Sequence, residues 1–125
     1  MRILIAGKCD VPVVNIAAKH IYGLFLRKGV KIYEMVDKEL HAKSATIDGV
    51  HAIVGSFNLD RLSWRHLLEV NLSILDQQTT LQLEKQFVED LKLATEVSLV
   101  DWERRGILTK FVHWLAYQFC TLIMR

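Results

Sequence analysis

LHAKSATIDGVHAIVGSFN, running from Leu40 to Asn58, decides how this chain is read. It fits the pattern His-x-Lys-x4-Asp-x6-Gly-Ser-x-Asn at every fixed position, through His41, Lys43, Asp48, Gly55, Ser56 and Asn58. At ordinary residue frequencies such a match arises by chance on the order of once in 10⁸ starting positions. Leu40 to Ile47 alternates weakly between turn formers, which predicts a strand. Asp48-Gly49 is a hairpin turn signal, and Val50 to Val54 predicts the returning strand. Residues two apart on a strand share a face, so His41 and Lys43 are expected in one pocket. The turn then brings Gly55, Ser56 and Asn58 back toward His41.

These residue types suit a phosphodiester, and the stretch reads as half of an active site for one. An imidazole can attack phosphorus or donate a proton near neutral pH. An ammonium beside it can hold the non-bridging oxygens as charge shifts in the transition state. Gly55 lets the backbone come close, while the Ser56 hydroxyl and Asn58 amide donate hydrogen bonds without adding charge. Eleven residues beyond Asn58 lies Glu69, at the head of a predicted strand EVNLSIL. Its carboxylate can orient the imidazole through the second ring nitrogen, as in a catalytic triad.

With these residues the chain resembles the phospholipase D superfamily and its HKD motif. The segment GSFNLDRLSWRHLLEVNLSILD is similar to the stretch after the second such motif in bacterial cardiolipin synthases, so the chain most resembles the C-terminal half of such an enzyme. RILIAGKCDVPVVNIAAKHIYGLFLRKGVKIYE upstream and FVEDLKLATEVSLVDWERRG downstream extend the resemblance with less specific matches. It implies that His41 is a catalytic histidine and that Lys43, Ser56 and Asn58 bind phosphate. Asp48 is then the motif aspartate, expected to shape the turn and support the lysine, and Glu69 the carboxylate bonded to the histidine. Similar enzymes use two motifs at one site, one histidine forming a phosphohistidine and the other protonating the leaving alcohol. No metal and no cofactor are implied.

The chain departs from that pattern in carrying a single motif. Its first strand is expected directly at Arg2 to Ala6, so the opening strand and helix of a half-domain are expected to be missing. A truncated reading frame, a split gene and an expressed fragment are all consistent with this. A complete site requires a second motif, from another HKD-bearing chain or from a homodimer across a twofold axis.

Composition sets outer bounds. With 125 residues, 51% of them hydrophobic, one domain is expected, able to bury about two thirds of its unfolded surface. One proline, six glycines and no low-complexity run leave no linker. A net charge of +2 is too small to indicate nucleic acid by itself. Cys9 and Cys120 have no metal-ligand spacing and read as free thiols, and no secretory signal is evident. His20, His51, His66 and His113 match no ligand spacing and read as surface or supporting histidines. Arg61 and Arg65 fit either a headgroup phosphate or a solvated loop. Lys8 and Asp10 come after the first strand, at the sheet end where α/β ligands often bind.

The coarse pattern alternates strands and helices. A helix capped by Asp10 is expected from about Val11 to Lys28, with Pro12 in its first turn and Gly29 after its end. Further strands are expected at Val30 to Glu34, in the hairpin, and at Glu69 to Leu75, with a short helix or turn from Leu59 to His66. A helix from Thr79 to Glu96 should bury Leu81, Leu83, Phe87, Val88, Leu91 and Ala94. The expected class is α/β, a mixed β-sheet flanked by helices, with a catalytic half-domain over residues 1–100 and a tail over 101–125.

In that tail a helix from Ile107 to Met124, roughly 27 Å long, places Leu108, Phe111, Val112, Leu115, Phe119, Leu122 and Ile123 on one side. Trp102, Arg104, Arg105 and Trp114 supply headgroup-level aromatics and charge, which favours a helix on an anionic membrane surface over one crossing it. Packing on the sheet or against a missing half fits the same pattern.

The expected function is phosphatidyl transfer of the cardiolipin synthase type, from an anionic phospholipid such as phosphatidylglycerol, at the cytoplasmic face of the bacterial inner membrane. A hydrolase or nuclease dimer and a non-catalytic fragment are the alternatives. The motif reads only the phosphodiester; the downstream resemblance and the apolar tail favour lipid over nucleic acid, which would call for a basic stripe.

Overall fold

Asp48 and Gly49 take φ of 51° and 68°, the pair of positive angles that a type I′ hairpin turn demands. The strands they join therefore pair as the sequence predicts. The computed structural model describes residues 1–8, 11–58 and 61–123, without the side chains of Arg61, Leu62 and Trp64. Along the chain its elements are β1 (Arg2–Ala6), α1 (Pro12–Arg27), β2 (Lys31–Met35), β3 (Lys43–Ile47), β4 (His51–Gly55), α2 (Arg61–His66), β5 (Asn71–Ile74), α3 (Gln77–Leu91), β6 (Thr95–Glu96), α4 (Leu99–Glu103) and α5 (Ile107–Ile123). The α/β class is as expected, with the strands distributed over two three-stranded sheets, β1-β2-β6 and β3-β4-β5. The chain forms two compact units, residues 1–40 with 93–125, and residues 41–92.

In the first unit β1 and β2 run parallel, joined by α1, and β6 pairs antiparallel to β2 through Tyr33↔Glu96 and Glu34↔Thr95. Val11 occupies the N-cap of α1 with no side-chain acceptor, and Pro12 sits in the first turn, where its missing N–H costs nothing. The expected cap Asp10 lies outside the described residues. Gly29, at φ 78°, comes after the helix end as expected. Tyr22, Leu26 and Ile32 form the core, with Ile5, Phe25, Val97, Leu99 and Trp102 packed around them. Tyr22 donates to Glu34 Oε1 at 3.1 Å, and Lys19 pairs with the same carboxylate at 3.3 Å. Burial first, and the Glu34 charge second, push the Tyr22 phenol well above its ordinary range.

The helix expected to run to Glu96 stops at Leu91, and Thr95–Glu96 is strand β6 instead. No glycine or proline marks that stop. Pairing with β2, extended by Val97 N–H donating to the Ile32 carbonyl at 2.8 Å, overrides the helical pattern there.

The C-terminal helix forms, but the face it buries is not the apolar one. α5 packs on α1. Its covered positions are His113, Ala116, Tyr117, Cys120 and Thr121, at helical spacing. The Tyr117 ring lies 4.9 Å from that of His20, and the Cys120 thiol points to the Val13 carbonyl at 3.9 Å. Arg105 holds this face in place: its guanidinium lies 3.1 Å from the centre of the Trp102 ring and donates to His113 Nδ1 at 2.7 Å. Leu108, Phe111, Val112, Leu115, Phe119, Leu122 and Ile123 remain exposed. Burial raises the Cys120 thiol pKa. Cys9 and Met124 lie outside the described residues.

In the second unit α3 packs against β3 and β4. Asp76 caps it, accepting from the Thr79 N–H at 2.7 Å, which also holds that carboxyl below its usual range. The helix buries Thr80 completely and covers Leu83, Phe87 and Leu91 in part, whereas Leu81 and Val88, expected inside, are exposed. The Thr80 hydroxyl satisfies itself on the Asp76 carbonyl at 2.7 Å, so a threonine can serve as the buried contact. The short helix α2 starts at Arg61, and Leu59 lies outside the described residues.

Antiparallel pairing sets β3 against β4 and β4 against β5. Gly55 ends β4 where β5 comes closest: a Cβ at Gly55 would lie 2.7 Å from the Asn71 Cα and would run into the Val70 carbonyl and the Asn71 amide oxygen. That approach requires glycine.

Three measurements check this account. Ile32→Ala should destabilise the chain by about 2–5 kcal/mol in urea unfolding, since Ile32 is 2% exposed in the core. Gly55→Ala should cost about 1–3 kcal/mol through overpacking and weaken amide protection at Val70 in hydrogen exchange. Burial first, then the Arg105 guanidinium, hold His113 below its ordinary pKa of 6.5. The unfolded chain therefore takes up that proton at higher pH than the folded one, so stability should fall as pH drops below 6.5. The fall should be shallower in His113→Gln; parallel curves would refute the assignment.

Candidate functional site

The hairpin register assembles the motif. Lys43, the first residue of β3, pairs with Gly55, the last of β4, so the lysine stands across the ladder from the Gly55-Ser56 step. β4 continues this arrangement to β5, where Gly55 pairs with Asn71. The Ser56 N–H donates to the Val70 carbonyl at 3.0 Å, and the Val70 N–H donates to Ser56 Oγ at 3.0 Å. The Ser56 hydroxyl in turn donates to Glu69 Oε2. The hydroxyl is thus held by a carboxylate and a backbone amide at once, which leaves it one rotamer and one remaining lone pair.

His41 lies just before β3, which begins at Lys43 and not at Leu40 as expected. Strand alternation therefore does not place the imidazole. The two residues are joined through the main chain: Lys43 Nζ donates to the His41 carbonyl at 2.8 Å. His41 is exposed, and so are Ser56 and Asn58, whereas Lys43 and Glu69 are half-buried. Asp48 sits exposed in the turn at φ 51°. Among the described residues no ion pair joins it to Lys43, and no hydrogen bond joins the Glu69 carboxylate to the His41 ring.

The contact between Glu69 and Ser56 is one that sequence reasoning missed. The spacing marked Glu69 as a carboxylate near the motif, but only the strand register shows that its hydrogen bond goes to the serine. His51, beside the motif, donates to or accepts from Ser73 Oγ at 2.8 Å across two strands, as a supporting histidine would. Among the described residues no cluster of His, Cys, Asp and Glu has the arrangement of a metal site. Chemically, the motif end of the hairpin carries an exposed histidine just before β3, a lysine at its start and an oriented serine hydroxyl across the ladder, residue types suited to a phosphate group.

Comparison with known proteins gives the family of the chain. The family model described as cardiolipin synthase, PLD-like domain, matches residues 1–91. Over 111 residues the chain is 32% identical to cardiolipin synthase 2 of Staphylococcus epidermidis RP62A, covering 89% of this chain and 23% of that protein. It is 33% identical to the cardiolipin synthase of Staphylococcus aureus N315 over 111 residues, covering 89% of this chain and 22% of that one. For the cardiolipin synthase of Clostridium perfringens SM101 the identity is 32% over 110 residues, covering 88% of this chain and 23% of that protein. The chain thus spans less than a quarter of the length of these curated relatives, and no solved structure matches it. A motif matched at every position, a hairpin that presents it, and a family model spanning most of the chain together show that this chain belongs to the cardiolipin synthase, phospholipase D-like domain family.

Proposed function

We propose that this chain supplies one half of a two-motif site for phosphatidyl transfer of the cardiolipin synthase type. The observation that carries the reading is the register of Lys43 against Gly55, with Ser56 fixed beside it by Glu69 and Val70. That arrangement supports Lys43, Ser56 and Asn58 as the groups that hold the phosphate oxygens. Glu69 acts as a positioning residue on Ser56.

The reaction has two displacements. One imidazole attacks phosphorus of phosphatidylglycerol, forming a P–N bond as the P–O bond to glycerol breaks. The second imidazole gives its proton to the departing alkoxide. A hydroxyl of another phosphatidylglycerol then attacks the phosphohistidine, losing its proton to that second imidazole as the P–N bond breaks. His41 is one of the two histidines, the proton donor if the chain plays the part of a C-terminal half, and a second HKD-bearing chain or a second copy supplies the other. Water in place of the acceptor alcohol would give hydrolysis.

The exposed apolar side of α5 supports a peripheral seat on an anionic membrane surface, at the cytoplasmic face of the bacterial inner membrane. Exposed Trp114 and Arg104 lie on or next to that helix. Among the described residues no helix is long and apolar enough to cross a membrane.

The test is turnover of phosphatidylglycerol in anionic vesicles by the purified chain, with its mass in solution followed alongside. Turnover should track with the dimer and fall by about 10²–10⁴-fold in His41→Ala. Turnover that survives this substitution would overturn the reading, and a folded dimer without any would assign the second motif to another chain.

A further inference from the structure

The first unit holds a cavity of about 370 Å³ lined by Gly7, Lys8, Asn15, Lys19 and His113, among others. None of the motif residues lines it, and among the described residues no carboxylate does. It opens beyond the C-terminal end of β1, against the first turns of α1. We propose that this cavity is a second anion site of the chain, one that binds a phosphate group through the Lys8 and Lys19 ammoniums and the His113 ring N–H.

Each part of the lining points the same way. Lys8 is exposed and carries no ion pair or hydrogen bond among the described residues. Lys19 is half-buried and shares Glu34 with the Tyr22 hydroxyl, so that carboxylate already serves two donors. Asn15 Nδ2 donates to the Gly7 carbonyl at 2.9 Å, which ties the strand end to the helix and turns that acceptor away from solvent. His113 Nδ1 accepts from Arg105 at 2.7 Å. A neutral ring bonded in this way carries its proton on Nε2 and has one donor left to offer. Among the described residues the cavity lining carries the cations Lys8 and Lys19 and no carboxylate, and Glu34, paired with Lys19, lies outside the lining. Two lining cations without a lining carboxylate favour a negative ligand. The first turn of α1 adds to this preference: among the described residues no side chain caps it, and no acidic residue lies in it.

The phosphate can come from a lipid headgroup or from free inorganic phosphate, and the test separates the two. Ring resonances of His113 and His41 are followed by NMR in the full chain during titration with sodium phosphate, against sodium chloride at equal ionic strength. Vesicles of phosphatidylglycerol, with phosphatidylcholine vesicles as reference, are then added to the phosphate-loaded chain. The expected result is a saturable phosphate-specific shift of His113, with apparent affinity lowered by about tenfold or more in Lys8→Gln and in Lys19→Gln. Lys8 lies outside the core, so its variant should keep the wild-type far-UV circular dichroism.

Release of phosphate by phosphatidylglycerol vesicles alone assigns the site to a headgroup. Retention of phosphate in their presence assigns it to the free anion. A His113 ring that responds to neither probe, responds equally to chloride, or responds unchanged in both lysine variants would overturn the proposal. The proposal does not rest on the motif: the His113 response should persist in His41→Ala, and a shift at His41 without one at His113 would sink this site and leave the motif reading standing.

Discussion

How near the β5 backbone comes to Gly55 governs the motif end of the hairpin. A backbone with no side chain at that point lets Val70 and Asn71 lie where a Cβ would stand. Only then can Ser56 exchange hydrogen bonds with Val70 in both directions and reach the Glu69 carboxylate. A serine hydroxyl otherwise has three staggered positions and freedom to turn in each. Fixing it against one strand turns a flexible donor into part of a rigid surface. The lysine opposite inherits the same order, because Lys43 and Gly55 are ladder partners.

The first unit is organised differently, around a stack of rings and one cation. Tyr22 and Trp102 stack at 5.0 Å, Trp102 and His113 at 6.0 Å, and Arg105 lies over the indole. The stack links the core residue Tyr22, the short helix α4 and the long helix α5. It also explains why a helix with an apolar side turns a mixed one inward: the interior there is built from aromatic and cationic surfaces, to which histidine and tyrosine are better matched than leucine.

The sequence made some of this legible for identifiable reasons. Asp48-Gly49 encodes two positive φ angles that few other pairs tolerate, and Gly55 stands where backbone meets backbone, so the hairpin could be read locally. The strand β6 could not, because two residues carry no periodicity and their pairing with β2 depends on partners more than sixty positions away. The contact of Glu69 was hidden for a similar reason: spacing brings a carboxylate near the motif but does not choose between serine and imidazole. For α5 the apolar stripe was visible, yet periodicity locates a stripe without saying which side of the helix packs. Thr80 in place of Leu81 repeats that lesson on a smaller scale, since a hydroxyl that bonds its own helix passes for an apolar group.

The way α5 is held has one more effect. A helix seated by greasy contacts alone can roll by part of a turn and find nearly equivalent packing. One seated by ring stacking, a guanidinium bond to a particular nitrogen and a thiol aimed at a particular carbonyl has no such neighbouring minimum. Its azimuth is set. Leu108, Leu115 and Leu122 are spaced by seven and drift only about 20° per step, so they stand as a nearly straight ridge with 75%, 52% and 67% of their surfaces exposed. Whatever surface meets this helix meets that ridge at one fixed angle, like a keel.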